Sequence, residues 1–354
     1  MFLSEIKLLN FRNHSESSFS FRKKITCIVG NNGVGKTNLL DAVYYLCLTK
    51  SYLFADDKQN VKHGADFFRL ESSVEVAQLP VKLVCKYLGG RKKEFLVNDT
   101  PYVKLSEHIG QFPCVMICPA DAEIITGGSE ERRKVLDGTL SQTDADYLNV
   151  LLLYNKVLAQ RNAALKQFGE TGKVDYSLLG IYNEQLVSSG EEIFRKRATA
   201  MEVIKACFAK IYAQISGTPS EAVLNYVSQL QQKSFKELLQ ANVQKDIVLE
   251  RTEMGIHKDD VELLLQGYPV KRFGSQGQQK SFMLAYKLAM FLYIKQQKGL
   301  APLLLVDDVF DKLDKLRSKN LLDFFNSPDT AQVLLSHTKA NDFEGIEFID
   351  IQEI

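Results

Sequence analysis

Gly30-Asn31-Asn32-Gly33-Val34-Gly35-Lys36-Thr37 is the stretch from which the rest of the chain is read. It follows the apolar run Ile25 to Val29. It precedes Leu39, Leu40, Val43, Tyr44, Leu46 and Cys47, which recur at helical spacing from Asn38 onward. Glycines, a lysine and a hydroxyl residue at these positions, between a strand and a helix, form the phosphate-loop pattern. Glycine lets the backbone curl so that its N–H groups and the helix N-terminus point at phosphate oxygens. Lys36 is then expected to reach the β and γ phosphates of ATP, and Thr37 to ligate Mg2+.

Working outward, Leu3, Ile6 and Leu8, then Phe19 and Phe21, alternate as strand residues should. Between about Phe67 and Val103 the period-two runs Leu70 to Val76, Val81 to Tyr87 and Glu94 to Val97 are separated by Gly89-Gly90 and Asn98-Asp99. Both pairs are hairpin signals, so an antiparallel β lobe is predicted there. From about Glu130 to Lys245 the pattern turns helical. Strands and helices then return: Val261 to Leu265, a long helix from Gln278 to about Gln297, and strands at Leu303 to Val306 and Gln332 to Leu335. The layout predicted is an α/β domain in two pieces, 1–129 and 250–354, interrupted by a helical arm over 130–249.

The 354 residues carry a net charge of +1, with 45% hydrophobic and 25% charged positions. That composition is of the soluble globular class and excludes disordered and fibrous ones. The N-terminus places acidic and polar residues where a signal peptide needs an unbroken apolar run, and no stretch approaches the roughly 20 apolar residues that span a bilayer. Of six cysteines, the close pair Cys114 and Cys118 has no second pair or His cluster to complete a zinc site. A cytoplasmic protein without a membrane partner is expected. Basic clusters occur at Arg22-Lys23-Lys24, Arg91-Lys92-Lys93, Arg132-Arg133-Lys134, Arg195-Lys196-Arg197 and Lys271-Arg272. Taken one at a time, each reads as a solvated face.

The run Leu303 to Val306 ends in Asp307-Asp308. The first carboxylate can hold the magnesium ion; the second is then placed to orient and polarise the attacking water as a catalytic residue. Without the phosphate loop the pair would read as a helix cap. Leu313-Asp314 follows at the spacing of the D-loop of ABC ATPases, and His337 stands where those proteins place a switch histidine that hydrogen-bonds the γ phosphate. Phe273-Gly274-Ser275-Gln276-Gly277-Gln278, before the long helix, resembles the ABC signature usually written LSGGQ. In that class the signature of one subunit caps the ATP held by the phosphate loop of the other, so an ATP-clamped homodimer is implied. Ser275, Gly277, Gln278 and Asp314 therefore join the expected nucleotide contacts.

With these motifs placed, the chain resembles the RecF family, bacterial recombination and repair ATPases related to SMC and Rad50. The resemblance rests on Leu9-Asn10-Phe11-Arg12-Asn13 and Gly30 to Asn38, then Arg132-Arg133 with Leu136-Asp137, and Arg161-Asn162-Ala163. It continues through Gly255-Ile256-His257-Lys258-Asp259-Asp260, Phe273 to Gln279 and Asp307-Asp308. It implies an ABC-type, SMC/Rad50-like P-loop ATPase head with an antiparallel β lobe and an inserted helical arm. Arg12, Asn13 and Asn38 enter the nucleotide-binding set, with Lys36, Asp308 and His337 catalytic. It also implies slow, DNA-stimulated hydrolysis and binding of duplex DNA, gapped DNA or single/double-strand junctions. RecR and RecO are the implied partners, RecA is loaded with their help, and the SOS response is supported. Basic clusters of head and arm, Arg195-Lys196-Arg197 among them, would line a DNA groove in the dimer. Cys118-Pro119-Ala120-Asp121 occupies the place of the ABC Q-loop glutamine, Gln276 that of a signature glycine, and His337 departs from a threonine-rich ending. The alternatives are a nucleotide-binding subunit of an ABC transporter, another SMC-like ATPase, or a scaffold that binds ATP without turnover.

Overall fold

The computed structural model describes residues 1–217, 221–310, 313–338 and 346–351. Two compact units share the chain. The first takes Met1–Asp121, Ile211–Pro219 and Lys280–Ile354; the second takes Ala122–Lys210 and Ser220–Gln279.

In the first unit, β1 (Phe2–Phe11), β2 (His14–Ser20), β4 (Phe67–Val76), β5 (Leu79–Leu88), β6 (Glu94–Val97) and β7 (Thr100–Pro101) form an antiparallel sheet in the order β2-β1-β4-β5-β6-β7. The Asn98-Asp99 turn does what its residues predict, with φ of 48° and 63°. The turn from β4 to β5 adopts the same left-handed backbone at Ala77 and Gln78, with φ of 50° and 67° and no glycine to announce it. A second sheet is all parallel. It is made of β3 (Ile25–Val29), β8 (Cys114–Ile117), β12 (Leu303–Val306), β13 (Val333–His337) and β14 (Glu347–Asp350), in the order β14-β3-β13-β12-β8.

Helix α1 (Lys36–Leu48) is buried from Leu39 to Leu48 without a break, its apolar residues in one core with those of both sheets. A helix apolar all round is a core helix. Each fully buried Leu or Tyr-sized side chain here is worth about 1.5–3 kcal/mol, so the position of α1, and of the loop that opens it, is fixed by packing. The later helices are α8 (Gln276–Lys298), buried along most of Ser281 to Ile294, and α9 (Lys315–Asn326). No helix among the described residues is long and apolar enough to cross a membrane.

The second unit holds α2 (Glu123–Thr126), α3 (Ser129–Thr143), α4 (Ala145–Thr171), most of α5 (Tyr176–Ser216), α6 (Phe235–Leu249) and α7 (Val270–Phe273). It is not helical throughout. β9 (Ala222–Val227) pairs antiparallel with β10 (Asp260–Leu265), which pairs with β11 (Tyr268–Pro269). The expectation of a helical pattern from about Glu130 to Lys245 missed β9. Its period-two burial, Ala222, Leu224 and Tyr226 inward, lasts only six residues between long helical segments. The unit is also wider than the arm expected over 130–249, because β10 and β11 carry residues 260–269 into it.

Buried charge organises this unit. Arg197, 1% exposed, donates to Asp137 through Nε and Nη2 at 3.0 Å each, to Asp259 Oδ2 at 2.7 Å and to the Ile256 carbonyl at 2.8 Å. Arg161, also fully buried, donates to Asp246 Oδ2 at 2.8 Å, Thr252 Oγ1 at 2.7 Å and Asn183 Oδ1 at 2.9 Å. Arg132 grips Asp260 with two bonds, at 2.7 and 3.0 Å. These residues correct the expected DNA groove: Arg197 is inside the fold, and Lys196 bonds Asp144 at 2.6 Å. Of that cluster Arg195 is the exposed member.

The Gly255 to Asp260 segment serves the same core. At Gly255, φ is 131°, and a Cβ there would lie 2.5 Å from the Phe235 ring and 2.6 Å from the Tyr154 hydroxyl. His257 Nε2 meets the Thr252 carbonyl at 3.0 Å, so that nitrogen carries the proton and Nδ1 accepts from the Tyr154 hydroxyl at 2.8 Å. Burial holds its pKa down at about 4.

Candidate nucleotide site

The phosphate loop leaves β3 and turns into α1, at the carboxyl edge of the parallel sheet where α/β proteins bind ligands. Gly33 and Gly35 adopt φ of 86° and 112°, which residues with a Cβ rarely reach. At Gly35 a side chain would also displace its neighbours. A Cβ would sit 2.6 Å from Asn13 Nδ2 and 2.7 Å from His14 Nε2, because the turn between β1 and β2 lies against the loop. Lys36 is 4% exposed, and its Nζ donates to the carbonyls of Gly30 at 2.7 Å and Asn31 at 3.0 Å, folded across the loop it is to serve. Lys36→Ala removes the cation from this loop. Charge-assisted hydrogen bonds are worth about 1.5–3 kcal/mol, so the expected result in a calorimetric ATP titration is an affinity weaker by roughly tenfold or more with folding unchanged. Unaltered affinity would refute the phosphate-loop reading.

Across the sheet, β12 is followed at once by the buried Asp307. Thr37 Oγ1 donates to this carboxylate, 3.0 Å from Oδ1 and 2.9 Å from Oδ2, and Ser336 Oγ lies 2.7 Å from Oδ1. Burial raises the Asp307 carboxyl above its ordinary value, the bonds from Ser336 and Thr37 pull it back, and the Asp308 charge pushes it up again. A hydroxyl and a carboxylate side by side are the hard oxygen donors that Mg2+ takes alongside phosphate oxygens and water, so Thr37 and Asp307 fit that ion. Asp308 is half-buried, and its backbone has φ of 45°, in the left-handed region where Asp and Asn are the tolerated side chains. Its N–H donates to Ser336 Oγ at 3.0 Å. Ser336 therefore touches both carboxylates. Nothing in its sequence surroundings announces this, beyond its place before His337.

His337 is the last residue of β13, buried and in register with Val29, immediately before the loop. It was expected just past the strand. Arg12, Asn13 and Asn38 form one string beside the loop. Arg12 Nη1 donates to Asn38 Oδ1 at 2.8 Å, Asn38 Nδ2 to Asn13 Oδ1 at 2.6 Å, and Asn13 Nδ2 to the Val34 carbonyl at 2.8 Å. Arg12 is in turn held by an ion pair with Asp41, by Ser51 Oγ at 2.9 Å and by Asn60 Oδ1 at 3.0 Å. These three anchors were not foreseen from the sequence. Their partner, Arg12, sits in the turn between β1 and β2, 29, 39 and 48 residues away.

The remaining expected contacts lie elsewhere. Ser275 and Gln278 cap α8 reciprocally, with Ser275 N to Gln278 Oε1 at 2.8 Å and Gln278 N to Ser275 Oγ at 3.3 Å. Ser275 and Gln276 are exposed, as is Phe273 at 67%, while Gly277 is half-buried. Asp314 caps α9 through Arg317 N at 2.9 Å and pairs with the Arg317 guanidinium.

Residues 5–322 match the family described as an AAA domain. The chain is 44% identical to the DNA replication and repair protein RecF of Flavobacterium johnsoniae, over 98% of this chain and 96% of that one. It is 38% identical to the protein of the same name from Cytophaga hutchinsonii, over 96% and 90%. Among solved structures, the recombination mediator RecF-ATPrS of the RecFOR pathway superposes with a TM-score of 0.90 at 30% identity, covering 99% of this chain and 96% of that one. An Smc head bound to the winged-helix domain of ScpA follows at 0.57 with 15% identity over 96% and 90%, a likeness of fold alone. The expected ABC-type, SMC-like head is thus the fold observed, and the transporter alternative is set aside. With identity of this level spread over nearly the whole of both chains, the chain belongs to the RecF family of DNA replication and repair proteins.

Proposed function

We propose that the chain is an ATP-driven, dimer-forming, DNA-binding ATPase of recombinational repair, acting with RecR and RecO to load RecA on gapped DNA. The observation that carries this is the constellation at the carboxyl ends of β3, β12 and β13. The glycine loop, the paired Thr37 and Asp307, and Ser336 bridging Asp307 to Asp308 stand together there. In this reading Gly30 to Asn38 cradle the phosphates of ATP, with Arg12 and Asn13 bracing the loop. Thr37 and Asp307 hold Mg2+, which neutralises phosphate charge when bound. Asp308 orients and polarises the attacking water, and His337 hydrogen-bonds the γ phosphate. Ser275, Gly277, Gln278 and Asp314 act on the ATP of a second copy. The exposure of Ser275 and Phe273 supports that assignment.

The test is Ser275→Arg. The guanidinium would fill the space meant for phosphate oxygens, so this variant is expected to bind ATP as a monomer with unchanged affinity but not to dimerise or turn ATP over, read by light scattering and phosphate release. Affinity for several unrelated duplexes is measured alongside across a salt series. ATP should strengthen DNA binding by the unaltered chain and not by the variant, with little sequence preference and a steep fall with salt. Loss of ATP binding by the monomeric variant, or DNA binding indifferent to ATP and salt, would overturn the reading.

A further inference from the structure

Lys287 is a cation where α8 is otherwise core, its side chain only 5% exposed. Burying an ammonium is unfavourable unless it is paired and hydrogen-bonded. Its partners are the Tyr52 hydroxyl at 2.8 Å, Asp121 Oδ1 at 3.2 Å and the Tyr52 ring face at 4.9 Å. The Tyr52 hydroxyl also donates to Asp121, whose other oxygen accepts from Cys118 N at 2.8 Å. Tyr52 joins this cluster to the loop, since its backbone N–H donates to Asp41 Oδ1 at 2.6 Å. Asp41 accepts from Ser51 Oγ at 2.7 Å through its second oxygen and pairs with Arg12, which starts the string through Asn38 and Asn13 to the Val34 carbonyl.

We propose that Lys287 is a positioning residue for ATP turnover: acting through Tyr52 and Asp121, it sets the Asp41-Arg12-Asn38-Asn13 string that braces the phosphate loop. Two features favour this over mere packing. Each link is a directional hydrogen bond or ion pair, two of them to backbone at Tyr52 and Val34, so a shift at one end is passed on as a change of orientation and not absorbed by sliding contacts. The helix that carries Lys287 is also the one capped by Ser275 and Gln278. The inference rests on the ATPase reading above. A dimer in which each signature meets the other copy's ATP would pull on α8, and Lys287 is where that helix grips the brace of its own loop.

The experiment compares Tyr52→Phe, Lys287→Met and Lys287→Arg in the full chain, with Mg-ATP as the probe. Tyr52→Phe keeps the ring and the backbone bond to Asp41 and deletes only the hydroxyl link, so its folding is safe even if Lys287→Met fails to fold. Monomer affinity for ATP is expected to stay within about twofold, since the loop itself is intact. Misorientation of a reacting group by a fraction of an ångström to an ångström costs up to about a hundredfold, so kcat is expected to fall about tenfold in Tyr52→Phe and Lys287→Met. The ATP concentration needed for dimerisation is expected to rise, and Lys287→Arg to recover part of both. Wild-type kcat and dimerisation in a folded Tyr52→Phe protein would overturn the inference while leaving the ATPase reading intact. An unaltered chain that neither hydrolyses ATP nor pairs with it would overturn both.

Discussion

Asp308→Asn is expected to bind ATP as the unaltered chain does and to turn it over about a hundred to ten thousand times more slowly, the usual worth of a positioned general base. Asparagine is the informative replacement because of the backbone. Position 308 has φ of 45°, which Asp and Asn tolerate and most side chains do not, so Asp308→Ala would mix strain with lost chemistry. The bond from the 308 N–H to Ser336 Oγ survives the change, and so does the contact of Ser336 with Asp307. The proposed hold of Thr37 and Asp307 on Mg2+ should be kept. With closure possible and hydrolysis slow, the variant should accumulate as an ATP-bound dimer, seen as a stable shift in size on adding Mg-ATP and a flat phosphate-release trace. Turnover at the normal rate would move the water-orienting role elsewhere, with His337 next in line, since its register opposite Val29 sets it at the root of the loop.

Arg197→Ala is expected to cost about 3–5 kcal/mol of stability, the usual penalty for removing one member of a buried ion pair. The guanidinium spans Asp137 and Asp259, and Asp259 is buried with the Tyr226 hydroxyl at 2.6 Å as its other side-chain contact of this length. Burial already raises the Asp259 carboxyl above its ordinary value against the pull of Arg197. Removing Arg197 raises it further. A carboxyl with a raised folded pKa burdens the fold least when protonated, so the deficit should be smallest below the ordinary carboxyl range and should grow as pH rises through the folded value. Urea unfolding of Arg197→Ala, set beside Arg195→Ala at the exposed neighbouring position, measures this; Arg195→Ala should stay within about 0.5 kcal/mol of the parent. A folded Arg197→Ala protein of normal stability whose DNA affinity alone fell would restore the original view of this cluster as a phosphate contact.

The contrast between Arg197 and Lys36 marks how far the sequence reaches. Lys36 and its loop were legible because eight consecutive residues specify their own backbone: the glycines permit the turn, the flanking apolar runs make the strand and the helix, and the chemistry follows from local geometry. The same holds for Asp307-Asp308 after a run of four apolar residues, for the Asn98-Asp99 turn, and for the order of the nucleotide motifs along the chain. The string of basic residues at 195–197 carried no such local information. Whether an arginine faces water or a buried aspartate depends on residues 60 and 62 positions away, and a run of charge looks the same in either case. The six-residue β9 was hidden for a related reason, since its strand character is fixed by pairing with β10, far along the chain. Ser336, Asp41 and Asp121 likewise acquired roles only when segments distant in sequence were brought side by side. The sequence by itself thus determined the fold class, the glycine-lysine loop between strand and helix and the carboxylate pair after β12, because these are properties of contiguous backbone. The tertiary structure decided which charges are spent inside the molecule, because burial and pairing depend on neighbours that only the folded chain supplies.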